Sequence, residues 1–402
     1  MLGFSSSAKE SKYSVLFEIG SASVGAAVSV HESNTVRLLW SKRIEFGYKC
    51  EDDYVRYVRS MYAALLEIGM QVTSEGFVKA KEIRPDFTMR GAQVYCVLAP
   101  PWFLGAVNAE AITKEKPFQV TQTILDKIRD DGYSNVCNTE DSMSWQDLMG
   151  TPVLLEYYTD IFKVQGYKVT NIGHRSTNDL FVQSYYSIVS ESVQAHVSEV
   201  IERVLPNHPI HFVSSTRLLS GVHVQLEESD ASHRAIFVEI KGEITSVVLL
   251  QNGIVQNIVT IPLGTNHVLR KVSPKAISVR EAQDALDVLL KNNDDGDFST
   301  LGEELQEALS EWHAHVEFSF KALTGGVAPP TDILLFVDGL WGALYEKTLA
   351  VPMQLPGIRE TVQVETYTIG SMQKKSKNKN PEKGAMNDAR LRMYAQLLWH
   401  GA

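Results

Sequence analysis

Apolar residues fall in short continuous or alternating runs over the first fifty or so positions and then switch to a helical spacing. The segment Ser14-Val-Leu-Phe-Glu-Ile-Gly-Ser-Ala-Ser-Val-Gly-Ala-Ala-Val-Ser-Val30 predicts two strands joined by a turn of small residues, and Thr35 to Phe46 predicts a third. Val55, Val58, Met61, Tyr62, Leu65 and Leu66 then recur with the period of a helix over Tyr54 to Met70. The same plan returns at Ala235-Ile-Phe-Val-Glu-Ile-Lys-Gly-Glu-Ile-Thr-Ser-Val-Val-Leu-Leu250, where the Asn252-Gly253 pair predicts a hairpin into a further strand. Each copy sets a carboxylate, Glu18 or Glu239, at the end of a buried strand. A turn whose backbone amides suit a phosphate follows each one.

The stretch between the two copies has a different character. Residues 93–107 predict a strand that Pro100-Pro101 ends or sends to an edge, and Thr121 to Arg129 predicts a helix. Leu154 to Val169 reads as a strand pair around Gly166, and Asp179 to Ser190 as another strand. Val193, Val197, Val200, Ile201 and Val204 line one side of a helix. Ile210 to Ser214 is a short strand, and Thr216 to Gln225 reads as helix or loop.

Beyond the second copy, Ser278 caps a helix to Lys291 with Glu281 at the third position of a capping box. Leu301 to Leu323 is a long helical pattern, and Asp332 to Asp338 is an apolar strand ending at Asp338-Gly339. Lys374-Lys-Ser-Lys-Asn-Lys-Asn-Pro-Glu-Lys383 reads as a solvated connection, with attraction to an anionic membrane or acidic partner as the sharper alternative. A helix over Asn387 to Trp399 closes the chain, with Leu391, Tyr394, Ala395 and Leu398 on its buried side.

With 402 residues and 44% apolar content, a large core spread over several domains is expected. A formal charge of -10 excludes a basic face for nucleic acid. Cys50, Cys96 and Cys137 are odd in number and in no metal spacing, which points to a reducing compartment. The first residues carry no apolar signal core, and no run is long enough to cross a bilayer, so neither a cleaved signal nor membrane insertion is expected. His208 and His211 lie close in sequence but between prolines at a strand entry, a weak metal pair. Ser214-Ser215 and Ser220-Gly221 form no nucleophile elbow.

The order of these elements resembles the actin-like ATPase superfamily, and within it the bacterial PilM and FtsA branch. Glu18-Ile-Gly-Ser-Ala-Ser-Val-Gly25 is similar to that family's first phosphate loop, Asp-Ile-Gly-Ser-Ser-Ser-Val-Lys. Glu239-Ile-Lys-Gly-Glu-Ile-Thr-Ser246 stands against Asp-Ile-Gly-Gly-Gly-Thr-Thr-Asp in the second. Ile261-Pro-Leu-Gly-Thr265, Ser278-Val-Arg-Glu-Ala282 and the adenosine motif at Leu335-Phe-Val-Asp-Gly339 complete the likeness. It implies an α/β fold of duplicated actin-like (ribonuclease H-like) domains with an inserted α+β 1C (SHS2-like) subdomain. Residues 10–90 and 191–232 would form the first domain, 91–190 the insertion and 233–370 the second domain. A basic loop over 371–386 and a closing helix over 387–402 would return to the first.

The resemblance further implies ATP with magnesium as the cofactors of such a cleft. Glu18, Gly20, Ser21, Ala22, Ser23, Glu239, Lys241, Gly242, Thr245, Asp338 and Gly339 would hold the nucleotide, with Glu18 and Glu239 toward the metal. The residues also argue against it. Lys241 and Glu243 replace two glycines of the second loop, Val337 and Asp338 replace two of the adenosine motif, and octahedral magnesium tolerates poorly the longer reach of Glu18. Two readings stand open: a nucleotide clamp, and an actin fold kept as a scaffold with an altered cleft. No residue is assigned to catalysis of hydrolysis.

The PilM likeness implies a cytoplasmic scaffold attached to the inner membrane through a short cytoplasmic peptide of a bitopic partner. That peptide would serve a type IV pilus or related envelope assembly. Tyr95, Trp102 and Phe103 are the candidate peptide contacts, and self-association is a further expectation. The alternative is an FtsA-like division protein that polymerises and recruits a tubulin-like filament. A sugar or acetate kinase of the same superfamily is disfavoured by the altered second loop.

Overall fold

The computed structural model describes residues 12–32, 35–48, 53–173, 175–226, 234–276, 278–291, 302–325, 330, 332–337, 341–351, 353, 365–368 and 388–399. The lysine-rich segment and the Asp338-Gly339 turn lie outside them.

The first sheet contains β1 (Tyr13–Ile19), β2 (Ser23–Glu32), β3 (Thr35–Glu45), β4 (Gln93–Leu98) and β9 (Ile210–Ser214) in the order β3-β2-β1-β4-β9. The second contains β10 (Arg234–Ile240), β11 (Thr245–Gln251), β12 (Ile254–Ile261), β13 (Asp332–Phe336) and β14 (Glu365–Thr368) in the order β12-β11-β10-β13-β14. These are one topology used twice. The first strand of an antiparallel three-strand meander pairs in parallel with a fourth strand, which pairs in parallel with a fifth. The central strands are apolar on both faces because both faces are covered, which is why they read as continuous runs.

On the outer face of the first sheet lie α1 (Tyr54–Gln71), continued through a π-helical turn into α2 (Phe77–Ile83), and α5 (Glu191–Val204). Met61, Leu65, Ile68, Val193, Val197 and Ile201 pack there on Val15, Phe17 and Val28. The second sheet is covered by α7 (Thr265–Val272), α8 (Val279–Lys291), α9 (Glu303–Thr324) and α10 (Trp341–Leu349), with the Trp312 and Tyr345 rings in tilted contact at 4.6 Å in the core. Ser278 Oγ accepts the Glu281 N–H at 3.2 Å, the capping expected at the start of α8.

Two helices join the halves: α6 (Ser215–Leu226) and α11 (Ala389–Trp399). Leu218 and Leu219 of α6 and Leu391, Tyr394 and Ala395 of α11 share one core with Leu16 and Val97 of the first sheet and Phe237 and Phe336 of the second. The inner faces of both sheets are thereby glued through a common apolar layer. The Thr216–Gln225 segment, open between helix and loop in sequence, is a helix because it has this layer to bury against.

Between β4 and β9 the chain builds a third, antiparallel sheet from β5 (Phe103–Gln119), β6 (Pro152–Val164), β7 (Tyr167–Val169) and β8 (Ser176–Ser190), ordered β5-β8-β6-β7. Helices α3 (Gln122–Cys137) and α4 (Glu140–Met149) pack on it. Four departures from the sequence reading have physical causes. β5 runs well past Val107 because its outer half is a largely exposed edge whose charged residues hide the strand pattern. α3 runs through Asp130-Asp131-Gly132, since a Cβ at Gly132 would overlap the Tyr186 hydroxyl and the glycine makes close helix–sheet packing possible. The short helices α4 and α7 gave too few turns for a clear apolar period. α2 continues α1 without a break in burial.

The insertion is tied to the first sheet by a buried polar group. Glu156 on β6 accepts from Ser187 Oγ and from the Ser214 N–H, both at 3.0 Å, and the Tyr185 hydroxyl lies 3.0 Å from Ser214 Oγ. Arg217 of α6 stacks on the Tyr158 ring at 4.3 Å. Burial pushes the neighbouring Asp160 carboxyl up to about 6, with Arg217 and Lys168 opposing the shift. A folded-state value above the ordinary aspartate value of about 3.9 means this group's contribution is fully present below about pH 4 and lost as the pH rises through 6. Asp160→Asn is therefore expected to raise the thermal midpoint at about pH 7.5 and to leave it unchanged at about pH 4. Thermal denaturation followed at both pH values checks this.

Candidate functional site

The hairpin registers place the two glutamates at equivalent points. Glu18 stands opposite Gly25 and Glu239 opposite Ser246, one pair before the last in each hairpin, Ile19–Val24 and Ile240–Thr245. Each turn closes the same way, by Gly20 N–H to Ser23 O and by Lys241 N–H to Ile244 O, both at 2.9 Å. The first loop is supported from beneath. Trp102 Nε1 donates to Gly20 O at 2.7 Å, the Tyr57 hydroxyl donates to Ser21 O, and the two rings stack at 5.2 Å. Trp102 and Phe103, expected as partner contacts, are core residues, 0% and 2% exposed, and Trp102 shapes the loop. Tyr95 remains half-buried on β4, its ring 5.5 Å from that of His211.

Between the loops lies a charge cluster whose centre, Glu18, Glu239, Lys241 and Arg390, is buried and whose rim, Arg43 and Asp388, is partly exposed. Lys241 reaches out of the second loop to pair with Glu18 of the first, while standing 3.1 Å from Glu239 Oε1. Arg43 also pairs with Glu18, and its Nε donates to Asp388 Oδ2 at 2.9 Å. Arg390 Nη1 stands 3.6 Å from Glu18, and its Nη2 donates to Ile240 O at 3.2 Å. Glu239 accepts from the Tyr394 hydroxyl at 2.8 Å and from Ser215 Oγ at 2.9 Å. Lys241, Arg43 and Arg390 balance Glu18, Glu239 and Asp388, the condition for keeping charges out of water. Burial alone would raise the Glu18 carboxyl, yet Arg43, Lys241 and Arg390 together hold it well below the ordinary range. Burial and the nearby Glu239 and Glu18 charges push the Tyr394 hydroxyl well above its usual value, so it stays a donor.

Sequence reasoning found Glu18, Glu239 and Lys241 but missed Arg43, Ser215, Asp388, Arg390 and Tyr394. The signal for two of them was present, since Arg390 and Tyr394 stand four residues apart on the buried stripe of α11. Arg43 left no such signal. It lies opposite Gly25, whose missing side chain leaves room for its guanidinium, whereas the resembled loop carries a lysine at the Gly25 position.

The loops also touch directly. Ser21 Oγ accepts the Glu243 N–H at 2.9 Å, and a Cβ on Gly242 would overlap that of Ala22. Glu243 is turned away from the cluster, held by Asn266 Nδ2 at 2.7 Å and by Arg270 at 2.7 and 3.0 Å. The first N–H groups of α7 are spent on the second loop, Thr265 to Lys241 O at 2.9 Å and Asn266 to Gly242 O at 2.7 Å. That approach requires Gly264, where any Cβ would overlap both carbonyls. Thr245 Oγ1 donates to Leu263 O at 2.7 Å and receives Trp312 Nε1 at 2.9 Å, a structural part.

These residues do not fit a magnesium nucleotide. Both carboxylates expected to face the metal are already neutralised by protein cations, and the loops that would flank phosphates are in van der Waals and hydrogen-bond contact. Gly20, Ser21, Ala22 and Ser23 lie across from Lys241 and Gly242, and the Lys241 ammonium meets the carboxylates of Glu18 and Glu239. His208 bonds to Pro206 O and Met89 O, and His211 to Gln93, so the pair shares no common ligand.

If loop contact sets the geometry, Gly242→Ala is expected to destabilise the chain by about 1–3 kcal/mol, and Ala22→Gly in the same chain to recover most of that loss. Urea unfolding of the two single variants and the double variant measures the coupling.

No family model and no curated protein matches the sequence. Solved structures do. The PilM-PilN type IV pilus biogenesis complex aligns at 13% identity over 85% of this chain and 87% of that one, with a TM-score of 0.54. A protein of actin-like ATPase fold and unknown function from Bacteroides thetaiotaomicron aligns at 7% identity over 96% and 97%, with a TM-score of 0.42. The ethanolamine utilization protein EutJ from Carboxydothermus hydrogenoformans aligns at 8% over 96% and 90%, with a TM-score of 0.46. The likeness to the PilM chain, together with the twice-used sheet order, shows that this chain has the actin-like ATPase fold.

Proposed function

We propose that the chain is a scaffold of the PilM type, which couples a type IV pilus or related envelope assembly to an inner-membrane partner without turning over ATP. The observation that carries the reading is the cleft filled by Lys241 and its partners: the fold is kept while its phosphate cradle has been given to internal ion pairs. The shared fold with a PilM-PilN complex supports peptide docking beside the inserted sheet. Among the described residues no helix is long and apolar enough to cross a membrane, so attachment runs through the partner in this reading.

With Trp102 and Phe103 buried, the docking surface moves to the elements around them. The Tyr54 hydroxyl donates to Met149 Sδ at 2.8 Å, joining the start of α1 to the end of α4. On those same two helices Val55 is 58%, Met143 56% and Leu148 64% exposed, large apolar side chains suited to a short amphipathic segment.

Synthetic cytoplasmic N-terminal peptides of bitopic envelope proteins, titrated into the full chain by calorimetry, test the proposal. One of them is expected to bind at micromolar concentration without nucleotide. Leu148→Asp or Val55→Asp should then weaken it roughly tenfold or more. Absence of binding by every such peptide, or phosphate release from ATP above background, counts against the scaffold reading.

A further inference from the structure

The cleft of this fold is a place where two lobes meet over two carboxylate-bearing turns, and here a side chain of the protein stands between those carboxylates. Lys241 has 6%, Glu18 0% and Glu239 1% of its surface exposed, so bulk water contributes little to solvating any of them. The ammonium group is anchored to the second lobe by its own loop and pairs with a carboxylate of the first. Arg390 adds a second tie, touching Glu18 of the first sheet and the Ile240 carbonyl of the second. The Glu243 N–H to Ser21 Oγ bond adds a third, through backbone.

We infer that Lys241 is a built-in counter-cation that takes the role of a bound metal nucleotide and holds the two sheets closed whatever the nucleotide concentration. Separating the lobes pulls Lys241 from Glu18 and leaves Lys241 to Glu239 and Glu18 to Arg43, each charge short of a partner above the apolar layer of Phe237, Phe336 and Leu16. Breaking one partner of a buried pair costs far more than the pair gains on forming, so the arrangement acts as a latch. A ligand that binds both open and closed forms equally shifts nothing, and a ligand that needs the space of the Lys241 side chain must first displace it. The cleft is therefore insensitive to ATP in a way that a merely vacant cleft is not.

The full chain serves for the test, in three forms: wild type, Lys241→Met, and Glu239→Gln with Lys241→Met. Thermal denaturation is followed with and without about 5 mM Mg-ATP, and hydrogen exchange is read at Val15–Ile19 and Ile236–Ile240. Mg-ATP is expected to move the wild-type midpoint by less than about 1 °C, against the rise that ligand binding to the folded state produces. Lys241→Met is expected to lower the midpoint by roughly 5–10 °C and to speed exchange in both strands. The double variant should recover at least half of that loss, because Glu18 keeps Arg43 and Arg390 while Glu239, paired with Lys241, is the carboxylate left without a cation, and the second change removes it. A saturable rise of the wild-type midpoint with Mg-ATP overturns the inference, as does a Lys241→Met chain as stable as wild type or a double variant no better than the single one. If Lys241→Met does not fold, a folded double variant supports the latch, and failure of both overturns it. No arm involves a partner peptide, so this result and that of the scaffold reading are independent.

Discussion

A lysine ammonium held between two buried carboxylates from opposite halves of the chain is the contact on which the rest of the molecule depends. Placed in water, such a pair would contribute little; taken out of water, each charge becomes costly unless all its neighbours are in place. Glu18 therefore constrains Arg43 on β3, Lys241 on the second loop and Arg390 on α11 at once. Glu239 likewise constrains Ser215 at the start of α6 and Tyr394 on α11. The helices that join the halves are thus positioned from above by charge and from below by the shared apolar layer.

Duplication supplies the symmetry that makes this possible. Equivalent registers bring a glutamate to the same height in each hairpin, and an identical turn carries the next residues toward the other half. What separates the two loops is a handful of side chains. Gly25 yields space to Arg43, Gly264 lets α7 close on the second loop, and Gly242 admits Ala22. Glycines that in a phosphate cradle let backbone approach a ligand here let one loop approach the other.

The inserted sheet adds a different kind of joint. Its attachment combines buried polar contacts, Glu156 to the Ser214 N–H and Tyr185 to Ser214 Oγ, with apolar packing of Met149, Val189 and Tyr185 on the neighbouring cores. Trp102 and Phe103, at the point where the insertion leaves β4, extend the first core, and Trp102 supports the first loop. The exposed apolar side chains of α1 and α4 stand at the same seam, beside the elements that fix it.

Local patterning determined the repeated strand-turn-strand plan, the long helices and the strand-rich insertion, because continuous apolar runs and helical spacing report burial directly. It also placed Glu18, Glu239 and Lys241 at the two turns. It left Arg43, Asp388 and Arg390 unassigned, since each acts on a carboxylate from another element and neither periodicity nor spacing encodes that meeting. Trp102 and Phe103 after a proline pair read as core or edge more readily than as a partner surface; both are buried, and Trp102 is fixed there by Tyr57 and the carbonyl of Gly20. The chain alone thus specified Glu18, Glu239 and Lys241 at the cleft, and not the groups of other elements that meet them there. Whether Lys241 would point at an anion or at Glu18 depended on how closely the two halves pack, a distance set by Gly242, Ala22 and the layer beneath them.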